Sequence, residues 1–376
     1  MPDVQAVILA GGKGTRLRPV TDDLPKPLVP IANRSLVSHQ LRHLAASGVR
    51  DVTLALGHQA ERFRGVEDDA ADLGLRLRIV VEPAPLGTGG ALRWCADEGV
   101  FDDDRPLLWI NGDVVASPDV GALAAFHLER RSSVTLWLTS ARDTSEFGVV
   151  ELEADGFVER FLEKPSPDET SSHLVNAGIL MLEPAVLWRI PPDTFFSFEK
   201  GVLPAMVRER EPVYGRFDGG YWLDTGRPAS YLAANRHVLE QRVCWQPRGT
   251  ATDSGLWVGA DVAIDTSRLI RPAAIGDHVA VEPGTQMFGR TVLGDRCAVG
   301  PGAMLENCVL HDDVAIGREA QVLGSVVCAG ARVEPEAVVE RSIVGAGATV
   351  GRCNELRGAR LAPGIQLPDG AVTVDG

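Results

Sequence analysis

The chain has 376 residues, 45% of them hydrophobic and 23% charged, and a formal charge of −14 from 37 basic and 51 acidic side chains. That length suits two domains. The acidic balance disfavours a broad nucleic-acid surface, and no run approaches the roughly 18 continuous apolar residues that a membrane span needs. The opening "MPDVQAVILAGG" lacks the charged start and long apolar core of a signal peptide. The six cysteines (Cys95, Cys244, Cys297, Cys308, Cys328, Cys353) form no CxxC pair. Their dispersal speaks against a zinc site or a secreted disulfide framework and reads as cytoplasmic thiols.

"VQAVILAGG" predicts a buried strand that breaks into glycine, and Lys13, Arg16, Arg18 and Lys26 follow within one loop. Glycines 11, 12 and 14 let backbone N–H groups turn toward an anion without obstruction by a Cβ. Arg16 and Lys26 can neutralise phosphate oxygens, the first as a fork and the second as a point charge. A tight turn with solvated basic residues is the plainer alternative. The spacing fits neither the Rossmann G-x-G-x-x-G nor a P-loop, since no G-K-[ST] closes it. A cationic loop in an acidic chain therefore points to a small anionic ligand.

"SLVSHQLRHLAASG" has helical spacing, with Leu36, Val37, Gln40, Leu41 and Leu44 on one face and Gly48 placed as a C-cap. "DVTLALG", "LRIVVE", "PLLWINGD" and "SVTLWLT" read as strands, and "GGALRWCADEG" as a further helix. Strand and helix in alternation imply βαβ units and a mostly parallel sheet, whose ligands bind beyond the carboxyl ends of the strands. "LAGGKG" and "INGD" both fall there. Asp113 follows one strand, after Gly112, and Asp224 is expected in another short loop after Trp222. Two such carboxylates suit a hard divalent cation that shares its coordination with substrate phosphates; each alone also reads as a turn or cap aspartate. Lys164 precedes Pro165, which predicts extended backbone there.

After Gln246 the pattern changes. Apolar residues recur about every six positions: Val258, Ile264, Ile270, then Ile275 through Leu305 in unbroken steps of six, and again from Ile316 to Val350. Glycine often follows at once. A hexapeptide period predicts a parallel β-helix with three hexads to a coil, here about five coils. An acyl-transferring β-helix would want a histidine near a coil edge; His278 and His311 stand at hexad corners and read as surface residues. The tail reads as an oligomerisation or regulatory module, since open coil ends favour self-association.

The string "LAGGKGTRLRPVTDDLPKPLVPI" resembles the signature G-G-x-G-T-R-L-x-P-L-T…P-K-P-L of the nucleotide-sugar pyrophosphorylases, or sugar-1-phosphate nucleotidyltransferases, with Val20 as a mild departure. The resemblance continues in order through "PLGTGGAL", "NGDV", "FGVV", "EKP", "NAGI" and "WLDTGRPASYLAAN", across the first 240 residues or so. It implies an α/β fold: a Rossmann-like nucleotidyltransferase domain over residues 1–240 with a mostly parallel sheet, then a left-handed parallel β-helix domain over 241–376. It also implies roles for particular residues. Arg16 and Lys26 are catalytic. Leu9, Ala10, Gly11, Gly12, Gly14, Thr15, Glu82, Gly87 and Thr88 bind the nucleotide. Gly148, Glu163, Lys164, Asn176 and Gly178 bind the sugar phosphate, and Asp113 and Asp224 hold Mg²⁺. The implied reactants are a nucleoside triphosphate and a sugar-1-phosphate, with no nucleic acid or membrane involved, in a cytoplasmic homo-oligomer joined through the β-helix.

"EPAPLGTGGAL" resembles the guanylyltransferases that make GDP-mannose and those acting on heptose or cyclitol phosphates. The expected pair is therefore GTP and mannose-1-phosphate. Arg227, standing in "DTGRP" where Thr is common, keeps heptose, glucose or valienol 1-phosphate open as acceptors, with GTP, ATP, UTP or dTTP as donors. A regulatory paralogue that only binds nucleotide sugars is the rival class; Arg16, Lys26, Asp113, Lys164 and Asp224 are all present, which argues against it.

Overall fold

The computed structural model describes residues 3–12, 14–57, 59–252, 255–264, 269–370 and 373–375. Lys13, one of the four loop cations, lies outside them. In chain order the elements before the tail are β1 (Gln5–Leu9), β2 (Pro30–Ile31), β3 (Arg34–Ser35), α1 (Leu36–Ala46), β4 (Asp51–Leu56), α2 (Arg64–Asp72), β5 (Arg76–Val81), α3 (Gly87–Asp97), β6 (Leu107–Asn111), β7 (Val114–Ala116), α4 (Val120–Glu129), β8 (Val134–Ser140), β9 (Gly148–Leu152), β10 (Val158–Glu163), β11 (Leu174–Leu182), α5 (Val202–Arg208), β12 (Val213–Phe217), β13 (Trp222–Asp224) and α6 (Pro228–Leu239). They divide between two compact units. One is Met1–Lys13 with Gln40–Trp222; the other is Gly14–His39 with Leu223–Gly376.

The first unit is built on a nine-stranded sheet in the order β10-β9-β11-β6-β1-β4-β5, with β8 paired to β11 and β12 to β8. Strands β5, β4, β1 and β6 are parallel neighbours. Their apolar runs follow from that, because a parallel sheet is covered on both faces. From β6 onward the sheet continues through antiparallel pairs, β6 with β11 and β11 with β8 and β9. The core gathers Val7, Leu107, Trp109, Leu136, Leu180 and Phe198, with Trp109 edge-on to Phe198 at 5.4 Å. The five residues expected on one face of α1 are all buried. Gly48 ends that helix at φ 83, the left-handed conformation of a C-cap.

In the second unit the described residues of the tail form three stacked sheets of eight, six and six strands, parallel except for the first pair of the eight, Thr250–Ala251 with Leu256–Val258; this is the signature of a parallel β-helix. Six coils therefore carry a strand on every face, one more than the hexad count suggested. The reason lies in the spacing. Stacked partners such as Ile275 and Leu293 are 18 residues apart, but Leu293 and Leu310 are 17 apart. One corner of that coil is a residue tighter, so a strict period of six oversteps Leu310; the count also ends at Val350, short of Leu356, Leu361 and Leu367. The same shift corrects Ile270. It is 55% exposed, and its neighbour Leu269 bridges to Met287 and packs on the interior. The interior is a ladder of Val, Ile, Leu and Ala: Leu305, Val322 and Val339 follow one another on one face, each fully buried. His278 is exposed as expected, but His311 is only 7% exposed, so its reading as a surface residue does not hold.

Candidate active site

Within the first unit, the glycine loop leaves β1 at the carboxyl end of the parallel strands. Ala10 N donates to Ala55 O at 2.8 Å, and Gly112 N to Leu9 O at 2.8 Å, so the turn preceding Asp113 lies against the loop. A Cβ on Gly11 would come 2.7 Å from Glu82 Oε1; glycine is what allows Glu82 to close on the loop. Glu82 is fixed in turn by Leu86 N, which donates to its Oε2 at 2.9 Å, and burial raises its pKa above the usual carboxylate range. Leu9, Ala10, Gly11 and Glu82 thus meet at one edge, with Gly12 exposed beside them.

Gly87 and Thr88 open α3, whose N-cap is Leu86, so Thr88 does not cap the helix. Its hydroxyl instead donates to Glu199 Oε2 at 2.6 Å and accepts from Phe198 N at 3.1 Å. Gly89 N and Gly90 N both donate to Phe196 O, at 2.9 and 3.1 Å. The first turn of α3 is therefore held by residues 196–199, a segment the sequence did not single out.

The motifs "FGVV", "EKP" and "NAGI" assemble on three neighbouring strands. Gly148 of β9 pairs with Glu163 of β10, and Val175 of β11 with Val149 of β9. A Cβ on Gly148 would overlap the Phe161 ring and come 3.1 Å from Glu163 Oε2. Glu163 has its pKa raised by burial and then by Glu199, with Lys164 and Lys200 opposing. Lys164 departs from expectation: φ is 53, left-handed rather than extended. Its N–H donates to Phe147 O at 3.0 Å, continuing the β9–β10 ladder, and that tertiary tie overrides the local preference before proline. Such backbone costs about 1–3 kcal/mol and tends to collect at functional positions. Asn176 Oδ1 accepts from Gly178 N at 3.1 Å. Gly178 takes φ 72, and a Cβ there would press to 2.5 Å from Asn111 Nδ2. Asn111 is a residue the sequence reading passed over beside Asp113. Its Oδ1 accepts from Trp109 Nε1 at 2.8 Å, and its carbonyl from Gln40 Nε2 at 2.9 Å.

Within the second unit, Gly14 adopts φ 60 and leads into the 3₁₀ turn Thr15–Leu17 that carries Arg16. Thr21 Oγ1 donates to Gly14 O at 2.8 Å, and a Cβ on Gly14 would approach Lys26 Cβ to 3.2 Å. Lys26 sits in a second 3₁₀ turn, Lys26–Leu28, between Pro25 and Pro27. It is only 5% exposed, so the solvated-turn alternative fails for it. Arg16 and Asp224 converge on Gly226: a Cβ there would lie 2.6 Å from Asp224 Oδ1 and 3.2 Å from Arg16 Nη2. Asp224 Oδ1 accepts from Gly226 N at 2.7 Å, which is the turn role expected of a lone aspartate. Asp113 belongs to the first unit and Asp224 to the second. Among the described residues no three His, Cys, Asp or Glu side chains gather as a metal cage. Two carboxylates are the donor chemistry of a hard ion whose remaining ligands are phosphate oxygens and water.

Each unit by itself carries the chemistry of an enzyme that handles phosphorylated substrates: the first a glycine turn at the ends of parallel strands, the second the cations Arg16 and Lys26. Residues 5–241 match the family model described as nucleotidyl transferase, and residues 269–369 the model described as GMPPB C-terminal domain. The chain belongs to the nucleotidyl transferase family, whose members generally use a divalent metal. It is 37% identical to the mannose-1-phosphate guanylyltransferase of Mycobacterium tuberculosis, over 98% of this chain and 97% of that one. It is 33% identical to the mannose-1-phosphate guanyltransferase of Schizosaccharomyces pombe, over 86% and 95%. Among solved structures, HddC from Yersinia pseudotuberculosis, crystallised in complex with GMP-PN, superposes with a TM-score of 0.53 at 27% identity, over 62% of this chain and 98% of that one. No helix among the described residues is long and apolar enough to cross a membrane.

Proposed function

We propose that the chain joins GTP to mannose-1-phosphate, forming GDP-mannose and releasing pyrophosphate. The observation that carries this reading is the end-to-end similarity to the Mycobacterium tuberculosis mannose-1-phosphate guanylyltransferase, which spans both the signature loop and the β-helix. The HddC structure bound to GMP-PN supports a guanine nucleotide.

In this reading a sugar-phosphate oxygen attacks the α-phosphorus and pyrophosphate leaves opposite it. The nucleophile is already ionised near neutral pH, so the protein need supply only alignment and charge. Arg16 binds the triphosphate, and Lys26 stabilises charge developing about the α-phosphorus. Leu9 to Gly12, Gly14, Thr15, Glu82, Gly87 and Thr88 seat the nucleotide. Lys164 holds the sugar phosphate, while Glu163, Asn176, Gly148 and Gly178 shape the sugar side. Asp113 and Asp224 would hold Mg²⁺, which when bound offsets charge on the triphosphate. Residues 1–240 form the catalytic domain and 241–376 the β-helix domain in this reading; the change of repeat after Gln246 supports the division. The β-helix joins copies of the chain into an oligomer, because the end of a coil stack is a row of strand edges that association covers.

A pyrophosphate-release screen tests the proposal, with five nucleoside triphosphates set against hexose, heptose and cyclitol 1-phosphates, with and without Mg²⁺. GTP with mannose-1-phosphate should give the highest kcat/KM. A different best pair would overturn the substrate assignment, and silence across the whole panel would overturn the reaction.

A further inference from the structure

The column of residues that turns the corner after one face of the β-helix runs Gly259, Gly276, Gly294, His311, Cys328 and Gly345. Each donates its N–H to the apolar residue of the next coil, from Gly259 N to Ile275 O at 2.8 Å through Gly345 N to Leu361 O at 2.9 Å. Four of the six are glycine, and a Cβ on Gly294 would lie 2.6 Å from the carbonyl carbon of His311. His311 and Cys328 break the glycine pattern, and both are buried. A histidine and a cysteine at a buried corner need something packed over them.

For His311 that partner is Tyr231 of α6. The hydroxyl of Tyr231 lies 3.0 Å from His311 Nε2 and donates to Pro30 O at 2.6 Å. A phenol has one proton and a carbonyl can only accept, so that proton goes to Pro30. His311 must then donate its Nε2–H to the Tyr231 oxygen. Burial alone pushes the His311 pKa down to about 4, so the ring is neutral and this tautomer is its ordinary state. The chain of bonds runs from coil to helix to Pro30, four residues beyond Lys26.

Further ties hold the same stretch. Ala32 and Asn33 form the two-residue turn between β2 and β3 at φ 48 and 63. Alanine rarely adopts that backbone without support. Here Ala32 N donates to Asn235 Oδ1 at 2.7 Å, and Ala32 O accepts from Arg248 N at 3.1 Å. Asn33 Nδ2 donates directly to Leu293 O of the β-helix at 2.7 Å. At the other end of the signature loop, Arg360 Nη1 donates to Arg18 O at 3.3 Å. Leu36 N donates to Val29 O at 3.1 Å and Val29 N to Lys26 O at 3.1 Å, so the segment from Lys26 to Leu36 is closed on itself before it docks.

We propose that the β-helix is the mount of the signature loop, with Tyr231 and His311 as positioning residues that hold Lys26 in place for nucleotidyl transfer. This rests on the reaction assigned above, and gives the β-helix a part in each turnover rather than in assembly alone.

The test compares full-length wild type with Tyr231→Phe, His311→Gln, His311→Leu and Val350→Ala. Tyr231→Phe keeps the buried ring and removes only the oxygen; His311→Gln keeps a donor, and His311→Leu does not. Amide exchange across residues 26–35 should quicken at least tenfold in Tyr231→Phe and His311→Leu, and stay near wild type in His311→Gln. In the same two variants kcat for pyrophosphate release should fall at least tenfold, while KM for the sugar phosphate stays within twofold. Val350→Ala opens a cavity in the same β-helix and lowers the thermal midpoint, but should leave loop exchange and kcat unchanged. Wild-type exchange and turnover in Tyr231→Phe would overturn the proposal. So would an equal loss of kcat in Val350→Ala, because general weakening would then explain it. A wild type that releases no pyrophosphate with any pair counts against the reaction alone, and loop exchange then decides this proposal by itself.

Discussion

Lys26→Met gives the sharpest test of the charge argument, because burial sets the size of the effect. Two unit charges about 4 Å apart interact by about 1 kcal/mol in bulk water and by about 4 kcal/mol at the effective dielectric of a partly excluded protein site. Lys26 is 5% exposed, within a 3₁₀ turn flanked by two prolines, so the second regime applies to it. Read as transition-state stabilisation, about 4 kcal/mol is roughly a thousandfold in rate, whereas about 1 kcal/mol would be near fivefold. Methionine keeps most of the packed methylenes and removes the charge together with its three N–H donors. The assay is steady-state pyrophosphate release at saturating substrates, beside a thermal melt that checks the fold. The expected result is a kcat about a thousandfold lower with a midpoint within a few degrees of wild type. Arg16 is exposed and starts from the high-dielectric side, so Arg16→Met should cost less than Lys26→Met. A folded Lys26→Met retaining more than a tenth of wild-type kcat would refute the reasoning, as would a reversed order of the two variants.

Three further outcomes are expected. The His311 pKa lies near 4 in the folded chain, below the ordinary histidine value of 6.5, so the unfolded chain takes up the proton first. The resulting stability is complete above pH 6.5 and is lost as pH falls toward 4. It amounts to roughly 3 kcal/mol, and urea melts from pH 7 to 4 should be flatter in His311→Gln than in wild type by that difference. Thr88→Val keeps the shape of the side chain but takes the acceptor from Phe198 N and leaves Glu199 Oε2 with the Ser197 hydroxyl. It should destabilise by about 1–3 kcal/mol and raise KM for the nucleotide more than KM for the sugar phosphate; an unchanged nucleotide KM would separate residues 196–199 from the base loop. Gly178→Ala places a Cβ against Asn111 at φ 72. It should weaken sugar-phosphate binding at least tenfold by calorimetry, and tight binding in that variant would count against Gly178 shaping the sugar side.

Much of the fold was legible because its signals are local and periodic. The apolar runs of β1, β4, β5 and β6 and the one-sided face of α1 announce parallel strands and a covering helix without knowledge of any partner. The hexads announce the coil. What escaped is instructive. The six-residue period misses Leu310 because the corner between Leu305 and Leu310 is a residue shorter than the corners of the coil before it, and a count with fixed steps slips there. The same slip placed Ile270 inside instead of Leu269. Strands β9 to β12 lie outside the expected set, although β9, β10 and β11 carry "FGVV", "EKP" and "NAGI". The candidate residues themselves were visible as motifs, but their surroundings were not. Nothing in the string joins Thr88 to Glu199, 111 residues away, or Gly178 to Asn111.

By itself the sequence determined which chemistry the chain could carry: glycines beside cations, carboxylates at strand ends and a tail with a coiling repeat. Those are properties of residue type and spacing, and need no third dimension. Only the tertiary structure decided that Lys26 is buried while Arg16 is exposed, that Lys164 leaves the extended backbone its proline favours, and that His311 lies beneath Tyr231 instead of in water. Lys164 and His311 are held by bonds to residues distant in the chain, Phe147 and Tyr231, and leaving those buried polar groups without partners would cost about as much as the local preference they override.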